Sequence, residues 1–439
     1  MNVILLSGGS GKRLWPLSND VRSKQFIKLF KDGENYESMV QRVYRQITSV
    51  DADAKITIAT SKSQASAIKN QLGEKASICV EPCRRDTFPA IALAATYLHD
   101  ELCVGVDEAV VVCPVDPYVD NTYYEAVKAL QELAEQGDAN LTLMGIEPTY
   151  PSEKYGYIIP ESGDSVSKVK EKPDTETAKK YLAQHALWNA GIFAFKLGYL
   201  LDKAHSMIDF DDYRDLFNKY DTLTKISFDY AVVEKEPSIQ VLRYSGDWKD
   251  VGTWNMMAEV MADKTKGKAI LDETCVNTNV VNELNIPILC MGCKDLIVAA
   301  SGDGILISDK ERSGYMKPYV EKIETEAMYA EKSWGTYTVI DVQPGSMTVK
   351  VSMKAGEHMT YHMHNYREEV WTIVSGKGKA IVDGMEQILR SGDVITIAAG
   401  SKHTVEAITA LDIVEVQLGD EISVTDKIKF PEEIEFPLE

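Results

Sequence analysis

The chain has 439 residues, of which 44% are hydrophobic and 26% are charged, and its formal net charge is -20 at pH 7. This length exceeds what one hydrophobic core usually serves, so two or three domains are expected. The negative charge argues against nucleic acid or an anionic membrane as a partner, although a local group of backbone N–H donors and cations can still bind a small anion.

The cysteines and the first residues indicate the compartment. The seven cysteines follow no disulfide framework, and Cys290 and Cys293 form one isolated CxxC, which is more typical of a buried strand end than of a zinc or redox site. The chain starts with a strand-like run and not with a signal peptide, and no stretch is apolar enough to span a membrane. We therefore expect a cytoplasmic protein with no membrane partner.

Residues 1–262 alternate short apolar runs with amphipathic stretches. NVILLSG, KITIAT, AVVVCPVD and LTLMGI predict strands, whereas SMVQRVYRQIT and DTFPAIALAATYLHDEL predict helices. This alternation predicts an α/β fold with a Rossmann-like, mostly parallel sheet and helices on both faces. In such sheets ligands bind beyond the carboxyl ends of the strands.

The rest of the chain is rich in strand signals. Residues 263–325 combine short strands with Gly, Asn and Asp turns, which predicts a small all-β middle section followed by a linker. Residues 326–439 show period-2 alternation, which predicts a β-barrel or sandwich. We therefore divide the chain into domains at residues 262 and 325.

A glycine-rich turn, GGSGKR, follows the first strand. It is not a Walker A loop, because Leu6 and Arg13 stand where that motif needs Gly and Ser or Thr, and Leu14 breaks the dinucleotide fingerprint. Backbone amides and a guanidinium fork could still meet phosphates here, although an ordinary strand-to-helix turn fits the same letters. The residues available for a phosphate are Gly8, Gly9, Gly11, Lys12 and Arg13.

Eight blocks then occur in the order of one enzyme family. They are GGSGKRLWPLSNDVRSKQF, EPCRRDTFPAIALAA, CPVDPYV, GIEPTYPSEKYGYI, VKEKPD, WNAGIFAF, FDYAVVEK and WKDVGTW. Together they resemble the sugar-nucleotide pyrophosphorylases, and most of all the mannose-1-phosphate guanylyltransferases. The resemblance implies a GT-A-like nucleotidyltransferase domain that makes GDP-mannose from mannose 1-phosphate and GTP and releases pyrophosphate.

The implied reaction joins two anions, so the protein must align them and neutralise charge. A pair of carboxylates suits Mg²⁺, and the resemblance assigns Asp116 and Asp250 to this role. For Asp116 the alternative is a helix N-cap. The resemblance also implies that Arg13 contacts the leaving pyrophosphate and that Lys24 contacts the phosphates near the reacting centre.

The resemblance implies two further groups of contacts. Lys172 would hold the sugar phosphate and Glu171 the sugar hydroxyls; the alternative for both is an exposed charged loop. Glu81 and Arg85 would lie near the base, where a carboxylate can accept the N1–H and N2–H₂ donors of guanine. The sugar-phosphate set is Gly156, Glu171, Lys172 and Asn189. The nucleotide set is Leu6, Gly8, Gly9, Gly11, Lys12, Glu81 and Arg85.

Some positions depart from the family pattern near the base, the metal and the sugar. They are Ser23, Asp86, Phe88, Val115, Pro117 and Lys154. Three alternatives therefore stay open: transfer to another sugar 1-phosphate or from another nucleoside triphosphate, a second isomerase activity, and a non-catalytic sugar-nucleotide sensor. The sequence also leaves open whether the chain forms a homo-oligomer.

The C-terminal third carries both motifs of the cupin family. GEHMTYHMHNYREEVWTIVSG contains His362, His364 and Glu369 at the first spacing, and GDVITIAAGSKH supplies His403. Alternate residues of a strand share a face, so His362 and His364 can reach one ion. A set of three histidines and one carboxylate suits Zn, Fe, Mn, Ni or Co.

The same region resembles the C-terminal mannose-6-phosphate isomerase domain of bifunctional enzymes. An isomerase of this kind needs a cation for the phosphate and a base beside the metal. The family's closing stretch supplies arginines, whereas DEISVTDKIKFPEE contains none. Isomerisation of fructose 6-phosphate to mannose 6-phosphate is therefore kept as an alternative to a purely structural cupin.

Overall fold

The computed structural model describes residues 1–9, 12–19, 21–73, 76–323, 327–420, 422–423 and 426–430. The predicted nucleotide contact Gly11 lies outside these residues. The chain forms two compact units. The first unit is Met1–Arg13, Ser23–Ile68 and Leu72–Asp263, and the second unit is Leu14–Arg22, Lys69–Gln71 and Lys264–Glu439. The predicted domain division at residues 262 and 325 remains a prediction.

The first unit alternates strands and helices. Its strands are β1 (Asn2–Ser7), β2 (Phe30–Asp32), β3 (Asn35–Glu37), β4 (Lys55–Ser61), β5 (Ser77–Glu81), β6 (Ala109–Pro114), β7 (Pro117–Tyr118), β8 (Leu141–Ile146), β9 (Gly156–Pro160), β10 (Val166–Lys170), β11 (Leu187–Lys196), β12 (Ile239–Tyr244) and β13 (Lys249–Asp250). Its helices are α1 (Met39–Val50), α2 (Lys62–Leu72), α3 (Thr87–Asp100), α4 (Asn121–Gln136), α5 (Thr175–Leu182), α6 (Leu197–Met207), α7 (Tyr213–Lys219), α8 (Phe228–Ala231) and α9 (Trp254–Val260).

One nine-stranded sheet organises this unit. Its main order is β10-β9-β11-β6-β1-β4-β5, and β8 pairs with β11 and β12. The neighbours β6, β1, β4 and β5 are parallel, as predicted, and so are β8 and β12. Strand β11 runs antiparallel to β6, β8 and β9. The sheet is therefore parallel where the glycine turn leaves β1 and mixed where the sugar-phosphate set lies.

Helices cover both faces of the parallel part. Helix α3 packs on β1, β4 and β5, and α4 packs on β6, β8 and β11. Residues of β1 alternate between the two faces, and Val3, Ile4 and Leu5 are all fully buried. A strand that is apolar on both faces is typical of a sheet covered on both sides. The predicted α/β class is confirmed.

The second unit is built almost entirely from strands. They are β14 (Thr265–Lys266), β15 (Ala269–Leu271), β16 (Asn279–Asn282), β17 (Ile288–Cys290), β18 (Leu296–Ser301), β19 (Gly304–Asp309), β20 (Tyr329–Lys332), β21 (Gly335–Gln343), β22 (Ser346–Met353), β23 (His362–Met363), β24 (Glu368–Ser375), β25 (Lys377–Val382), β26 (Met385–Arg390), β27 (Val394–Ile397), β28 (His403–Ala407), β29 (Leu411–Leu418) and β30 (Ile428–Lys429). Its one α-helix among the described residues is α10 (Lys317–Val320).

The middle section and the C-terminal part differ in strand direction. In the middle section β14, β16 and β18 are parallel neighbours, and β15 pairs in parallel with β17. The C-terminal part consists of a six-stranded sheet, β20-β21-β22-β29-β24-β27, and a five-stranded sheet, β26-β25-β28-β23-β30. An apolar core that includes Val349, Trp371 and Val405 lies between these sheets. This arrangement confirms the predicted cupin-like β-barrel.

Across the part of the chain that the structure describes, no helix has both the length and the apolar character needed to cross a bilayer.

Candidate active site and metal centre

The glycine turn and Asp116 leave the sheet at the same edge. Strands β1 and β6 are parallel neighbours with Leu6 opposite Pro114. Gly8 and Gly9 follow the first strand, and Asp116 follows the second. Gly9 has a φ of +122°, a conformation that favours glycine. The carboxyl edge of the sheet therefore carries both the predicted phosphate turn and one predicted metal ligand.

A buried polar network holds the glycine turn in place. The Gly9 carbonyl accepts hydrogen bonds from Ser23 Oγ at 2.9 Å and from Gln64 Nε2 at 3.1 Å. Gln64 Oε1 also accepts a hydrogen bond from the Thr60 hydroxyl at 3.2 Å. Gln64, Ser23 and Thr60 are completely buried. Ser23 replaces the proline of the family pattern, and its hydroxyl makes a contact that proline cannot make.

Asp116 is not a helix N-cap. Helix α4 begins after Asp120, whose Oδ1 accepts the Thr122 N–H at 3.0 Å. Asp116 Oδ2 instead lies 3.1 Å from Lys24 Nζ. Asp116 Oδ1 is buried and has no hydrogen-bond partner among the described residues. A buried carboxylate oxygen without a partner is costly, and a bound cation would satisfy it.

Asp250 comes from a distant part of the chain to the same place. The short antiparallel pair of β7 and β13 puts Asp250 directly opposite Pro117, the residue that follows Asp116. Directly opposed residues in an antiparallel pair have Cβ atoms only about 5 Å apart. The backbone segments that carry the two predicted metal ligands are therefore neighbours. Two carboxylates, one with an unsatisfied buried oxygen, fit the preference of Mg²⁺ for oxygen ligands.

The four predicted sugar-phosphate residues also meet. Asn189 on β11 lies opposite Gly156 on β9, and Glu171 follows β10, the other neighbour of β9. A Cβ atom at Gly156 would collide with Glu171 Oε2 and would lie 3.2 Å from Asn189 Cβ, so a larger residue here would displace the Glu171 carboxylate. Lys172 Nζ forms an ion pair with Glu171 Oε1. We call Gly156, Glu171, Lys172 and Asn189 the sugar-phosphate cluster.

Lys172 has an unusual backbone and a strong electrostatic partner. Its φ is +42°, which a long side chain rarely adopts and which is often found at functional sites. Burial lowers the pKa of Lys172, but the hydrogen bond and the charge of Glu171 outweigh burial, so that the pKa is raised. Lys172 therefore stays cationic beside its partner and can bind a phosphate.

Asp229 contacts this cluster and was not predicted from the sequence. Its Oδ1 accepts a hydrogen bond from Asn189 Nδ2 at 2.7 Å, while Asn189 Oδ1 accepts the Gly191 N–H at 3.1 Å. Burial and then the charge of Glu171 raise the pKa of Asp229 to about 6. The block FDYAVVEK contains Asp229, but only the fold reveals that it orients Asn189.

Aromatic packing joins the sugar-phosphate cluster to Asp250. Tyr155 precedes Gly156, and the centre of its ring lies 4.9 Å from that of Trp188, the residue before Asn189. The centre of the same ring lies 5.3 Å from that of Trp248, two residues before Asp250. Burial, Tyr150 and then the charge of Asp250 raise the pKa of Tyr155. The aromatic rings therefore connect the segments that carry the sugar-phosphate cluster and Asp250.

The predicted base contacts are engaged within the protein. Glu81 ends β5 and is 9% exposed, and its Oε2 accepts the Tyr220 hydroxyl at 2.8 Å. Burial raises the pKa of Glu81. Arg85 Nη2 donates to the Asp221 carbonyl. A bidentate role for Glu81 toward guanine would therefore use Oε1 together with the remaining lone pair of Oε2.

The other predicted nucleotide contacts lie near the turn. Leu6 is in β1, and Lys12 and Arg13 begin a 3₁₀ turn that ends at Leu14. The Arg13 side chain is exposed. Asp86, where the family pattern has Asn, has a φ of +70° and caps α3 by accepting the Thr87 N–H at 2.8 Å. Its ψ of -176° lies outside the left-handed helical region that Asp and Asn favour, so this cap is formed in a strained backbone conformation.

Three predicted metal ligands converge in the barrel. His362 and His403 face each other across the pair of β23 and β28, and His364 follows β23. One ring nitrogen from each histidine lies within 4.8 Å of the others, and all three side chains are buried. We call these residues the histidine triad. Burial is the largest effect that lowers the pKa of His362 to about 2, so its ring is neutral.

The triad has the orientation of a metal centre. Each Nδ1 faces a backbone carbonyl, which can only accept, so each Nδ1 carries the proton and each Nε2 presents a lone pair. His403 Nε2 is buried and has no hydrogen-bond partner among the described residues. The carbonyls are those of Thr360 for His362, at 2.7 Å, of Ser401 for His403, at 2.9 Å, and of Asp426 for His364.

Glu369 approaches the triad from β24, in the opposite sheet. Its Oε1 lies 3.1 Å from His364 Nε2, and its Oε2 lies 3.3 Å from His403 Nε2. A carboxylate beside two lone pairs fits a shared cation, so these residues fit a divalent metal. Arg367 was missed by the sequence reasoning. It is 8% exposed and contacts Glu369 Oε1 and His364 Nε2, both at 3.1 Å.

The fold and these sites define the class of protein, an α/β nucleotidyltransferase unit joined to a cupin barrel. The nucleotidyl transferase family matches residues 2–267, and the mannose-6-phosphate isomerase C-terminal family matches residues 321–432. The chain belongs to the nucleotidyl transferase family, among the mannose-1-phosphate guanylyltransferases that carry a C-terminal cupin domain. The family resemblance predicted from the eight blocks is confirmed.

Named relatives align over almost the whole chain. Mannose-1-phosphate guanylyltransferase ManC of Salmonella typhimurium is 29% identical, with 97% of this chain and 96% of the relative covered. Xanthan biosynthesis protein XanB of Xanthomonas campestris pv. campestris is 31% identical, with 97% of each covered. A crystal structure described as mannose-1-phosphate geranyltransferase from Thermus thermophilus has a TM-score of 0.59 at 25% identity and covers 74% of this chain and 99% of that chain.

Proposed function

We propose that this chain makes GDP-mannose from mannose 1-phosphate and GTP and releases pyrophosphate. The observation that carries the proposal is the pairing of β7 with β13, which puts Asp250 opposite the residue after Asp116, while Lys24 lies 3.1 Å from Asp116. The relatives support mannose and guanine, since the ManC relative is named for both.

Each residue of the site has its own proposed role in the transfer. An oxygen of the sugar phosphate attacks the α-phosphorus of the triphosphate, and the bond from that phosphorus to the bridging oxygen breaks. Lys172 holds the sugar phosphate, and Asn189, fixed by Asp229, binds the sugar together with Glu171. Lys24 and Arg13 neutralise the triphosphate and the departing pyrophosphate.

Asp116 and Asp250 would hold Mg²⁺. The bound ion would neutralise phosphate oxygens as negative charge shifts toward the leaving pyrophosphate. We also propose a cytoplasmic location, because all seven cysteines are free thiols, which suits a reducing compartment.

A substrate screen tests the proposal. Mannose 1-phosphate and glucose 1-phosphate are each mixed with GTP, ATP, CTP or UTP and Mg²⁺, and pyrophosphate release is measured. We expect the fastest release from mannose 1-phosphate with GTP. A faster reaction with another pair would replace the substrates and keep the chemistry. No release from any pair, together with measurable binding of a nucleotide sugar, would favour a sensor.

Lys172→Ala is expected to raise the KM for the sugar 1-phosphate by about 10-fold to 100-fold, because hydrogen bonds to charged groups contribute about 1.5 to 3 kcal/mol. The KM for the triphosphate should change little. Steady-state kinetics with each substrate varied would measure both values. The matched control is Lys168→Ala, an exposed lysine of β10, the strand that precedes Lys172. An unchanged sugar 1-phosphate KM in the Lys172 variant would contradict its role.

A second candidate function is isomerisation of fructose 6-phosphate to mannose 6-phosphate in the barrel. The match of residues 321–432 to the mannose-6-phosphate isomerase C-terminal family and the geometry of the histidine triad favour it. Arg367 adds a cation inside the barrel, although it is engaged by Glu369 and His364. Formation of mannose 6-phosphate by the parent protein, and its loss in His403→Ala, would support the second activity.

A further inference from the structure

The block GGSGKRLWPLSNDVRSKQF is divided between the two units. The first unit contains the chain up to Arg13 and resumes at Ser23, just before Lys24. The residues between them, Leu14–Arg22, pack with the second unit. We call Leu14–Arg22 the anchored segment. Arg13 directly precedes the anchored segment, and Lys24 follows it after Ser23. These are the two cations that the proposed function assigns to the triphosphate.

A buried ion pair fixes the end of the anchored segment. Arg22 Nη1 and Nη2 donate to the two carboxylate oxygens of Glu283, at 2.7 and 3.1 Å. Arg22 is 8% exposed, and its guanidinium lies 4.9 Å from the centre of the Tyr329 ring. Bidentate pairing fixes both the position and the orientation of an arginine. Breaking such a buried pair from one side leaves an uncompensated charge.

A second group of contacts fixes the middle of the segment. Asn19 Oδ1 accepts the backbone N–H groups of Val21 and Arg22, at 2.8 and 2.7 Å, so it shapes the turn itself. Asn19 Nδ2 donates to Asp303 Oδ2 at 2.6 Å. Ser301 Oγ donates to the Pro16 carbonyl at 2.7 Å. These contacts do not involve Glu283, although the Arg22 backbone N–H takes part in one of them.

The start of the anchored segment, at Trp15, is also closely packed. The Trp15 ring lies against Gly304, where a Cβ atom would be 2.5 Å from Trp15 Cζ2. Gly304 has a φ of +148°, so a side chain would be strained as well as crowded. Nine of the ten residues that connect Arg13 to Lys24 therefore belong to the second unit and are held near their start, middle and end by contacts within it.

We infer that Glu283 and Asp303 are positioning residues for nucleotidyl transfer, which act through the anchored segment on Arg13 and Lys24. This inference rests on the proposed function, since it takes these two cations as the triphosphate contacts. Ordering a flexible segment when substrate binds would reduce affinity, and an anchored segment is ordered beforehand. The benefit should therefore fall on the triphosphate and not on the sugar 1-phosphate, whose cluster lies elsewhere in the first unit.

The test compares Glu283→Gln and Asp303→Asn with the parent protein. Each is expected to raise the KM for the triphosphate by about tenfold, the equivalent of one hydrogen bond to a charged group, while the KM for the sugar 1-phosphate stays within about twofold. Arg22→Lys, which keeps the charge but loses the bidentate fork, should show a smaller rise. The control is Glu321→Gln, which removes an exposed pair with Lys317 in the same unit.

The outcomes separate positioning from simple stability. A rise in the triphosphate KM alone, with an unchanged melting temperature or with Arg22→Lys intermediate, supports the inference. Equal rises in both KM values, or a lower melting temperature with unchanged kinetics, would overturn it. If the parent protein shows no turnover with any substrate pair, the proposed function fails first. Triphosphate affinity of the same variants, measured by calorimetry, would then still decide whether the anchored segment matters for binding.

Discussion

Asp250→Asn is expected to lower turnover at saturating substrates by about 100-fold or more. The amide has nearly the same shape as the carboxylate but lacks its charge, so the change weakens the hold on Mg²⁺ and leaves the strand pair β7 and β13 in place. A loss of about 3 kcal/mol in transition-state stabilisation corresponds to roughly this factor. Initial rates of pyrophosphate release, measured over a range of Mg²⁺ concentrations, would give the value.

The register of β7 and β13 makes a sharper version of this test possible. If Asp116 and Asp250 hold one ion, then Asp116→Asn should cost a similar factor, and the double variant should be little worse than either single variant. Two independent roles would instead multiply the losses to about 10⁴-fold. The control is Asp247→Asn, which changes an exposed acid three residues before Asp250. Its turnover should be close to that of the parent. Near-parental turnover of Asp250→Asn at saturating Mg²⁺ would remove the metal role.

Much of the first unit could be predicted because its signals are local. Apolar runs such as AVVVCPVD are buried strands, and their carboxyl ends place Gly8, Gly9 and Asp116 at one edge of the sheet. Long-range pairing was not predictable in this way. Strand β11 is buried along most of its length and would suit either direction, yet it runs antiparallel to its three neighbours. Its direction brings Asn189 opposite Gly156.

Two residues whose contacts were not predicted, Asp229 and Arg22, have partners far away along the chain. Asp229 is important because Asn189, 40 residues earlier, donates to it. Arg22 looks like part of a phosphate motif, but its partner Glu283 is 261 residues away. No periodicity or turn signal records such pairs. Motif spacing did indicate that the three histidines would converge, since the cupin pattern encodes adjacent strands of one small barrel.

The double variant His362→Ala with His403→Ala is expected to lose its bound transition metal. Removing two of three Nε2 donors leaves His364 and Glu369, too few ligands for a stable site. Metal content, measured by mass spectrometry after purification, should fall from about one ion per chain to less than about one tenth. His358→Ala changes an exposed histidine of the same barrel that is not in the triad, and it should retain the metal.

The same variant tests whether the barrel acts separately from nucleotidyl transfer. The histidine triad lies in the second unit, whereas the carboxylate pair and the sugar-phosphate cluster lie in the first. A ligand that binds only the folded barrel stabilises it by mass action, so the metal-free variant should melt at a lower temperature than the parent. Pyrophosphate release should stay within about twofold of the parent, because every group proposed for that reaction is unchanged. A parent protein without metal would contradict the assignment of the triad, and loss of transfer in the variant would contradict its separation from the first site.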